Sequence, residues 1–508
     1  MTNSILLKLA LDGSVWNAQD LHKALASENT ALSLRSTHRA LGEWWGEDVV
    51  SRVENVTNRD GVAFNSLVVT PLHEWSRSKR RPLEILQILE RDQRSIVALS
   101  DLKGRVIWKA VADSSPASLQ LAVEEIFDQR PGTFAFLPHG RVGTFLKETD
   151  GTQRGENLSS LLAPPQFIPG EKREQATSKP TSYLDALESE SIDIIRETYA
   201  AAEKPGMLFS MGKDSMAMLT LATKAFAPAP IPFPLVIIDT RWKFQDMYRF
   251  REHLEARDDL STIVYVNPEA VERDMNPFDF GSATHTDVTK TQALRKVLDE
   301  HRFDFVFGGA RRDEEKSRAK ERIFSPRSAT HGWDPKGQRP ELWNLYNTAL
   351  APGQSMRVFP ISNWTEIDVW RYLERENVEL VPLYFAKPRP FVRRNGALIM
   401  VDDERFPLDT GEKVHIDHVR FRTLGCYPLT GGVESRAATV GEILHELESS
   451  TVSERSSRVI DSDKGRKMGT SDADRCAEDH HCRKRRRWKE HPHREVALGH
   501  QVYSRGSD

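Results

Sequence analysis

The chain has 508 residues, room for about three domains at ~150 residues each, and its 39% hydrophobic and 29% charged content describes a globular protein with a sizeable core. A net charge of −3 excludes a global electrostatic pull toward nucleic acid or acidic membranes, so any anion binding has to come from local patches. No apolar run approaches the ~20 residues that span a bilayer. The first residues, Met1-Thr2-Asn3-Ser4-Ile5-Leu6-Leu7-Lys8, lack the form of a signal peptide, and three cysteines, Cys426, Cys476 and Cys482, are too few for a disulfide framework. The expectation is a cytoplasmic protein with no membrane contact.

Residues 1–80 carry their own pattern. Asn17 is placed to cap a helix running to about residue 26, with Leu21, Ala24 and Leu25 on one face. A second helix over 33–44 puts Leu34, His38, Leu41 and Trp45 on its apolar side and Arg35 and Arg39 on the other. Two alternating runs, 49–54 and 62–69, flank Asn58-Arg59-Asp60-Gly61, and Asp-Gly between such runs predicts a hairpin. Helix, helix, hairpin is the order of a winged helix-turn-helix module, which implies a DNA or protein partner. The plainer alternative is a small domain on which Arg35 and Arg39 form a solvated face.

Residues 81–150 read as a second small α+β unit: a short helix over 82–90, strands over 95–99 and 106–111, a helix over 117–127, and strands over 133–137 and 142–146. It holds no catalytic constellation. The stretch 151–182 is rich in Pro, Gly, Ser, Thr, Gln and charge and reads as a linker.

From residue 183 the pattern changes. A helix through 195 precedes four short apolar runs, 207–209, 235–238, 263–266 and 305–307, which alternate with helical stretches. That spacing predicts βαβ units, and so an α/β fold with a mostly parallel sheet and helices on both faces. The first run leads into Phe209-Ser210-Met211-Gly212-Lys213-Asp214-Ser215, and a helix follows over 216–226. A strand-to-helix turn of this composition is an anion cradle. Backbone N–H groups and the helix dipole face the ligand, Gly212 allows close approach, Ser210 and Ser215 offer hydroxyls, and Lys213 adds charge. The spacing is not that of a GxxxxGK[ST] loop. Asp214 is either a functional acid or a first-turn carboxylate favoured by the dipole. Asp239 and Gly308-Gly309 also fall at the carboxyl ends of strands, where ligands bind in such sheets.

Arg311-Arg312, just after the Gly-Gly turn, suit bidentate recognition of sulfate or phosphate oxygens. Lys316, Arg318, Lys320 and Arg322 are interleaved with Asp313, Glu314, Glu315 and Glu321, which also fits a solvated helix face. Cys476, His480, His481 and Cys482 are too compactly spaced for a tetrahedral zinc site. The segment 464–508, with Arg483-Lys484-Arg485-Arg486-Arg487, is polar and basic and is expected to be disordered.

The loop resembles the pyrophosphate loop (PP-loop) of the ATP-pyrophosphatase superfamily, Ser-Gly-Gly-x-Asp-Ser, with Met211 in place of the first glycine. Further segments follow in order: Asp239-Thr240-Arg241-Trp242-Lys243-Phe244, Gly281-Ser282-Ala283-Thr284-His285-Thr286, Phe307-Gly308-Gly309-Ala310-Arg311-Arg312, Asn363-Trp364-Thr365-Glu366 and Arg420-Phe421-Arg422-Thr423-Leu424-Gly425-Cys426. Together they resemble the small catalytic subunit (subunit 2) of the heterodimeric bacterial sulfate adenylyltransferase, or ATP sulfurylase, over about 183–463.

That resemblance implies the adenine-nucleotide alpha-hydrolase-like PP-loop fold and a reaction of ATP with sulfate that gives adenosine 5′-phosphosulfate and pyrophosphate. ATP and Mg2+ would be bound, Asp214 being the candidate magnesium ligand. A GTPase large subunit would drive the reaction as a separate partner. On the same grounds Ser210, Met211, Gly212 and Ser215 would hold the leaving pyrophosphate, Lys213 would balance charge, and Asp239, Gly308 and Gly309 would approach the nucleotide. Arg311, Arg312 and His285 would act on sulfate or the α-phosphate. The Trp- and Arg-rich region 327–347, with Trp333, is the expected docking surface. Two other readings exist: a DNA-binding or nucleotide-sensing regulator built on the PP-loop domain, and a reductase of activated sulfate, whose Glu-Cys-Gly-Leu-His motif is absent here.

Overall fold

The computed structural model describes residues 2–27, 33–46, 48–91, 93–146, 155–164, 182–314 and 318–449. The expectations for 464–508, for most of the linker, and for Lys316, Cys476, His480, His481 and Cys482 lie outside the described residues.

The N-terminal part contains helices α1 (Thr2–Ala10), α2 (Ala18–Ser27), α3 (Leu34–Trp45), α4 (Ser66–Lys79) and α5 (Pro116–Gln129). Its strands are β1 (Val15–Asn17), β2 (Leu83–Arg91), β3 (Arg94–Asp101), β4 (Val106–Val111), β5 (Phe134–Pro138) and β6 (Gly155–Asn157), arranged as one six-stranded sheet in the order β1-β4-β3-β2-β5-β6. Asn17 caps α2 as its position predicts, its side-chain oxygen accepting from the N–H groups of Gln19 and Asp20 at 3.0 Å. Leu21 and Leu25 of α2 and Leu41 and Trp45 of α3 are buried in one cluster with Ile96, Ala98 and Trp108 of the sheet. No boundary therefore separates 1–80 from 81–150.

Three local expectations fail, each for an identifiable reason. The hairpin about Asp60-Gly61 shrinks to a single bridge between Thr57 and Ala63, because Asn65 caps a helix instead, accepting from the Leu67 N–H at 3.0 Å. Val68, Leu72 and Trp75 then bury at helical spacing. The wing expected over 62–69 is therefore missing, and the antiparallel pair that follows α4 is β2 with β3. The run 82–90 is a strand rather than a helix. It lies inside the sheet with both faces covered, Leu83 and Ile85 against one cluster and Leu86 against another, so the alternation that marks a half-exposed strand is lost. The run 142–146 is mostly a short 3-10 turn, Gly140–Thr144, entered through Gly140 at φ +57°.

The second sheet has the order β11-β12-β10-β7-β8-β9, from β7 (Pro205–Leu208), β8 (Leu235–Ile238), β9 (Thr262–Tyr265), β10 (Phe305–Phe307), β11 (Phe324–Arg327) and β12 (Ser355–Val358). All neighbours are parallel except the edge strand β11. Helices α6 (Ser182–Ala201), α7 (Lys213–Phe226), α8 (Gln245–Glu255), α9 (Pro268–Glu272), α10 (Gly281–Thr286), α11 (Ala293–His301), α12 (Glu366–Arg375) and α13 (Val440–Ser449) complete this part. The expected α/β architecture is present. The chain leaves β7 toward β8 and β9 on one side and returns to β10 and β12 on the other, so the order reverses between β7 and β10. That reversal opens a crevice at the carboxyl ends of these two strands.

A third sheet, β14-β13-β15-β16, comprises β13 (Lys387–Arg394), β14 (Ala397–Met400), β15 (His415–Arg420) and β16 (Val433–Glu434). It also meets the N-terminal part. Ile416 joins the cluster of Val68, Leu72 and Trp75, and the Ser160 hydroxyl donates to the Pro388 carbonyl at 2.8 Å. Among the described residues no helix is long and apolar enough to cross a membrane.

Candidate active site

The loop between β7 and α7 lies at the crevice. Its serines hold its shape: the Ser210 and Ser215 hydroxyls are 3.0 Å apart, the Ser210 N–H donates to Ser215 Oγ at 3.3 Å, and the Gly212 N–H donates to Ser210 Oγ at 3.4 Å. The Lys213 N–H donates to the Tyr384 hydroxyl at 2.7 Å, which ties the helix start to the turn before β13. Met211 sits at φ +60°, in the left-handed region, with its side chain buried. The left-handed φ explains why the PP-loop pattern carries glycine there; a non-glycine residue costs roughly 1–2 kcal/mol in this conformation.

Asp214 is the electrostatic centre. Arg311 Nε donates to its Oδ1 at 2.7 Å and Lys213 Nζ to its Oδ2 at 3.2 Å, and both cations are almost wholly buried. Burial works against the Asp214 carboxylate, but Lys213 and then Arg311 outweigh it and hold its pKa below the ordinary carboxylate value. Gly309 backs directly onto this residue. A Cβ at 309 would lie 3.3 Å from the Asp214 Cβ and 3.4 Å from Met218 Cε, a tight fit that glycine avoids where the β10 turn meets α7.

A cavity of about 410 Å³ covers the loop. Leu208, Val236, Ile238 and Leu294 line it on the β8 side, and Phe359, Glu321, Arg327 and Arg357 on the β12 side. Five cationic side chains, Lys213, Lys243, Lys290, Arg327 and Arg357, face three acids, Asp214, Glu314 and Glu321, which makes the cavity fit for a polyanion with an apolar body.

The structure brings Ser210, Met211, Gly212, Lys213, Asp214, Ser215, Gly308 and Gly309 together around this cavity and places Arg311 behind Asp214. It leaves three sequence candidates outside. Asp239 lines a neighbouring cleft and its carboxylate is engaged elsewhere, by Arg251 at 2.7 Å, the Tyr248 hydroxyl at 3.3 Å and the Arg241 N–H at 2.8 Å. It builds the turn after β8. Arg312 turns away to Asn363 at 2.8 Å and Glu341 at 3.4 Å. His285 is fully buried beside Lys243, and neither ring nitrogen has a hydrogen-bond partner among the described residues. Burial and the Lys243 charge lower its pKa to about 4, so it is neutral at pH 7.

Sequence reasoning missed Arg327, Arg357, Lys290 and Tyr384 as cavity residues. Only Arg357 left a signal: an arginine between the apolar Met356 and Val358 of a strand. Asp214 accepts from two cations already, and no group of three His, Cys, Asp or Glu side chains suited to a metal exists among the described residues. These residues do not fit a resident magnesium site.

The Phosphoadenosine phosphosulfate reductase domain family matches residues 204–432. The chain is 59% identical over 287 residues to "Sulfate adenylyltransferase subunit 2" of Caulobacter vibrioides, which covers 56% of this chain and 92% of that protein. It is 61% identical over 290 residues to the protein of that name from Rhodopseudomonas palustris, covering 57% of this chain and 88% of the relative. For the protein of that name from Geotalea daltonii the identity is 59% over 291 residues, covering 57% of this chain and 97% of the relative.

Proposed function

We propose that this chain, which belongs to the sulfate adenylyltransferase subunit 2 family, transfers the adenylyl group of ATP to sulfate in the cytoplasm, beside a separate GTPase subunit. The observation that carries this reading is the loop at the start of α7, where the buried Lys213–Asp214–Arg311 cluster lies under a cationic cavity at a helix N-terminus. A sulfate oxygen attacks the α-phosphorus. The bond from that phosphorus to the oxygen bridging to the β-phosphate breaks, and pyrophosphate leaves with the bonding pair. No covalent enzyme intermediate is needed, so catalysis consists of alignment and charge stabilisation.

In this reading the α7 N-terminus with Ser210, Gly212 and Ser215 holds the leaving phosphates, and Lys213 neutralises charge that builds on them. Asp214 fixes Lys213 and Arg311 in place, while the Leu208, Val236, Ile238 and Leu294 wall takes the nucleobase. Magnesium accompanies the phosphates of ATP and has no protein cage of its own. The anhydride formed is less stable than those of ATP, so a coupled GTPase is needed to drive the reaction. The test is sulfate-dependent pyrophosphate release from ATP by the full chain, with and without a sulfurylase GTPase subunit and GTP. Release that requires sulfate and rises with GTP is expected; ATP binding without sulfate-dependent release overturns the proposal.

A further inference from the structure

We propose that Arg357, with Arg327 beside it, is the residue that binds the attacking sulfate. The inference deepens the adenylyltransferase reading and rests on it.

The starting point is a guanidinium in a place that has no structural use for one. Arg357 lies in β12, pairs in register with Val306 of β10 and Ser325 of β11, and is only 8% exposed. Its Nη1 has no hydrogen-bond partner among the described residues, yet the side chain lines the cavity over the loop. A buried cation without a counter-ion is costly, and structures keep one where a ligand completes it. The acid whose charge favours it, Glu321, does so only in part. Glu321 is engaged by Arg327, and Arg327 Nη1 also donates to Ser325 Oγ at 2.8 Å. The group of Arg357, Arg327 and Glu321 thus carries one net positive charge at the cavity wall. Burial and then the Arg327 charge press on Arg357 and lower its pKa to about 10, which still leaves it fully charged at pH 7.

The strand order says which anion belongs there. The loop after β7 holds the leaving phosphates. The apolar residues that suit a nucleobase, Val236 and Ile238, come from β8 on one side of β7, while Arg357 and Arg327 come from β12 and β11 on the other side, beyond β10. Base and arginine end are therefore separated across the loop. A small, proton-free tetrahedral dianion fits the arginine end, where guanidinium forks match its oxygens. The two arginines favoured by the sequence cannot serve in the same way: Arg311 is committed to Asp214, and Arg312 points to Glu341 and Asn363 outside the cavity.

The experiment uses the full chain with its GTPase subunit and follows pyrophosphate release, varying sulfate at saturating ATP and ATP at saturating sulfate. Arg357→Met and Arg357→Lys are compared with wild type. Direct binding of α,β-methylene ATP, which cannot be cleaved at the reacting bond, reports whether each variant keeps a folded nucleotide site. Arg357→Met is expected to raise the KM for sulfate on the order of 10–100-fold, with Arg357→Lys in between and analogue affinity within about twofold of wild type. Arg327→Met, which removes a flanking cation from the edge strand, is expected to raise the same KM by a smaller factor. An unchanged sulfate KM in Arg357→Met overturns the assignment, as does a loss of analogue affinity equal to the loss for sulfate, which would make Arg357 a nucleotide ligand. If wild type itself releases no pyrophosphate with sulfate, it is the adenylyltransferase reading that fails.

Discussion

The two six-stranded sheets of this chain treat their polar groups differently. In the N-terminal sheet, buried polar side chains are satisfied. Gln87 exchanges hydrogen bonds with the Val50 backbone and reaches Ser100 Oγ at 2.9 Å, Glu84 pairs with Arg130, and the Trp108 indole donates to the Ala10 carbonyl at 3.0 Å. Trp44 Nε1 is the only described buried side-chain atom of this part without a partner. The parallel sheet leaves several, and two of them, Arg357 Nη1 and Thr423 Oγ1, belong to residues that line the cavity at its carboxyl edge. The backbone strain of Met211 lies there too. A closed polar network stabilises; an open one waits for a ligand. The other such atoms of the parallel-sheet part lie on residues that do not line the cavity, so the contrast marks a site only at these two residues.

The largest effects should come from the loop. Lys213→Met is expected to lower sulfate-dependent pyrophosphate release by about 10²–10³-fold or more, because it removes a preorganised charge from the leaving group. Asp214→Ala should abolish turnover and also destabilise the fold by roughly 3–5 kcal/mol, since Lys213 and Arg311 are then left buried without their shared anion. Steady-state kinetics and denaturant titration separate the two. Wild-type stability in Asp214→Ala would mean that solvent compensates the cations and that the site is wetter than its burial indicates. In the N-terminal sheet, Trp108→Ala is expected to cost about 3–5 kcal/mol in a melt of the full chain, because Trp108 packs edge-on against Trp45 at 5.2 Å in a fully buried cluster. Turnover per folded molecule should stay within about twofold. A large fall in turnover would dissolve the contrast, since it would show the scaffold sheet tuning the site.

What was legible in the sequence follows the same division. The second part announced itself through local signals: short strands in a βαβ rhythm, a strand-to-helix turn full of small polar residues, a Gly-Gly pair after a strand. The loop residues and Gly308-Gly309 fell where that grammar puts them. The failures at the site share one cause, namely that sequence position fixes which turn a side chain leaves from but not which way it points. Arg311 and Arg312 are adjacent, yet one faces Asp214 and the other Glu341. Asp239 stands at a strand end as expected and is consumed by Arg251, twelve residues later on α8. Arg357 and Tyr384 reach the site only through tertiary packing. In the N-terminal part, the fully covered β2 hid its period, and a single Asn65 cap turned a predicted strand into α4.

A smaller effect should follow from His285, buried and neutral in the parallel-sheet part. Its pKa is lowered from 6.5 to about 4, so the unfolded chain binds a proton that the folded chain refuses as pH falls from about 6.5 toward 4. Stability tied to this ring is complete above about pH 6.5 and is lost on acidification, by about 2 kcal/mol between pH 7 and pH 5. His285→Leu should remove that component, so that the denaturation midpoint of the variant falls less between pH 7 and pH 5 than that of wild type. Parallel pH profiles would mean that the ring titrates alike in the folded and unfolded chain, and a wild type that gains on the variant as pH falls would mean that it is protonated and partnered to an acid.

The smallest effect tests whether strain at the loop is functional. Met211 combines a buried side chain with a left-handed backbone, so side-chain volume and backbone freedom can be set against each other. Met211→Gly discards the buried thioether but adopts φ +60° without steric cost; Met211→Val keeps apolar bulk but is β-branched and strongly disfavours that region. If packing governed the loop, valine would be the milder change. If backbone shape governs it, glycine is milder where it matters: both variants lose about 1–3 kcal/mol of stability, but α,β-methylene ATP affinity stays within about threefold for glycine and falls about tenfold or more for valine. The second ordering is expected, because the N–H groups of the cradle are aimed by the backbone and not by the residue that fills the space beneath it. Equal affinity for the two variants would remove the left-handed turn from the account of how the loop holds its anion.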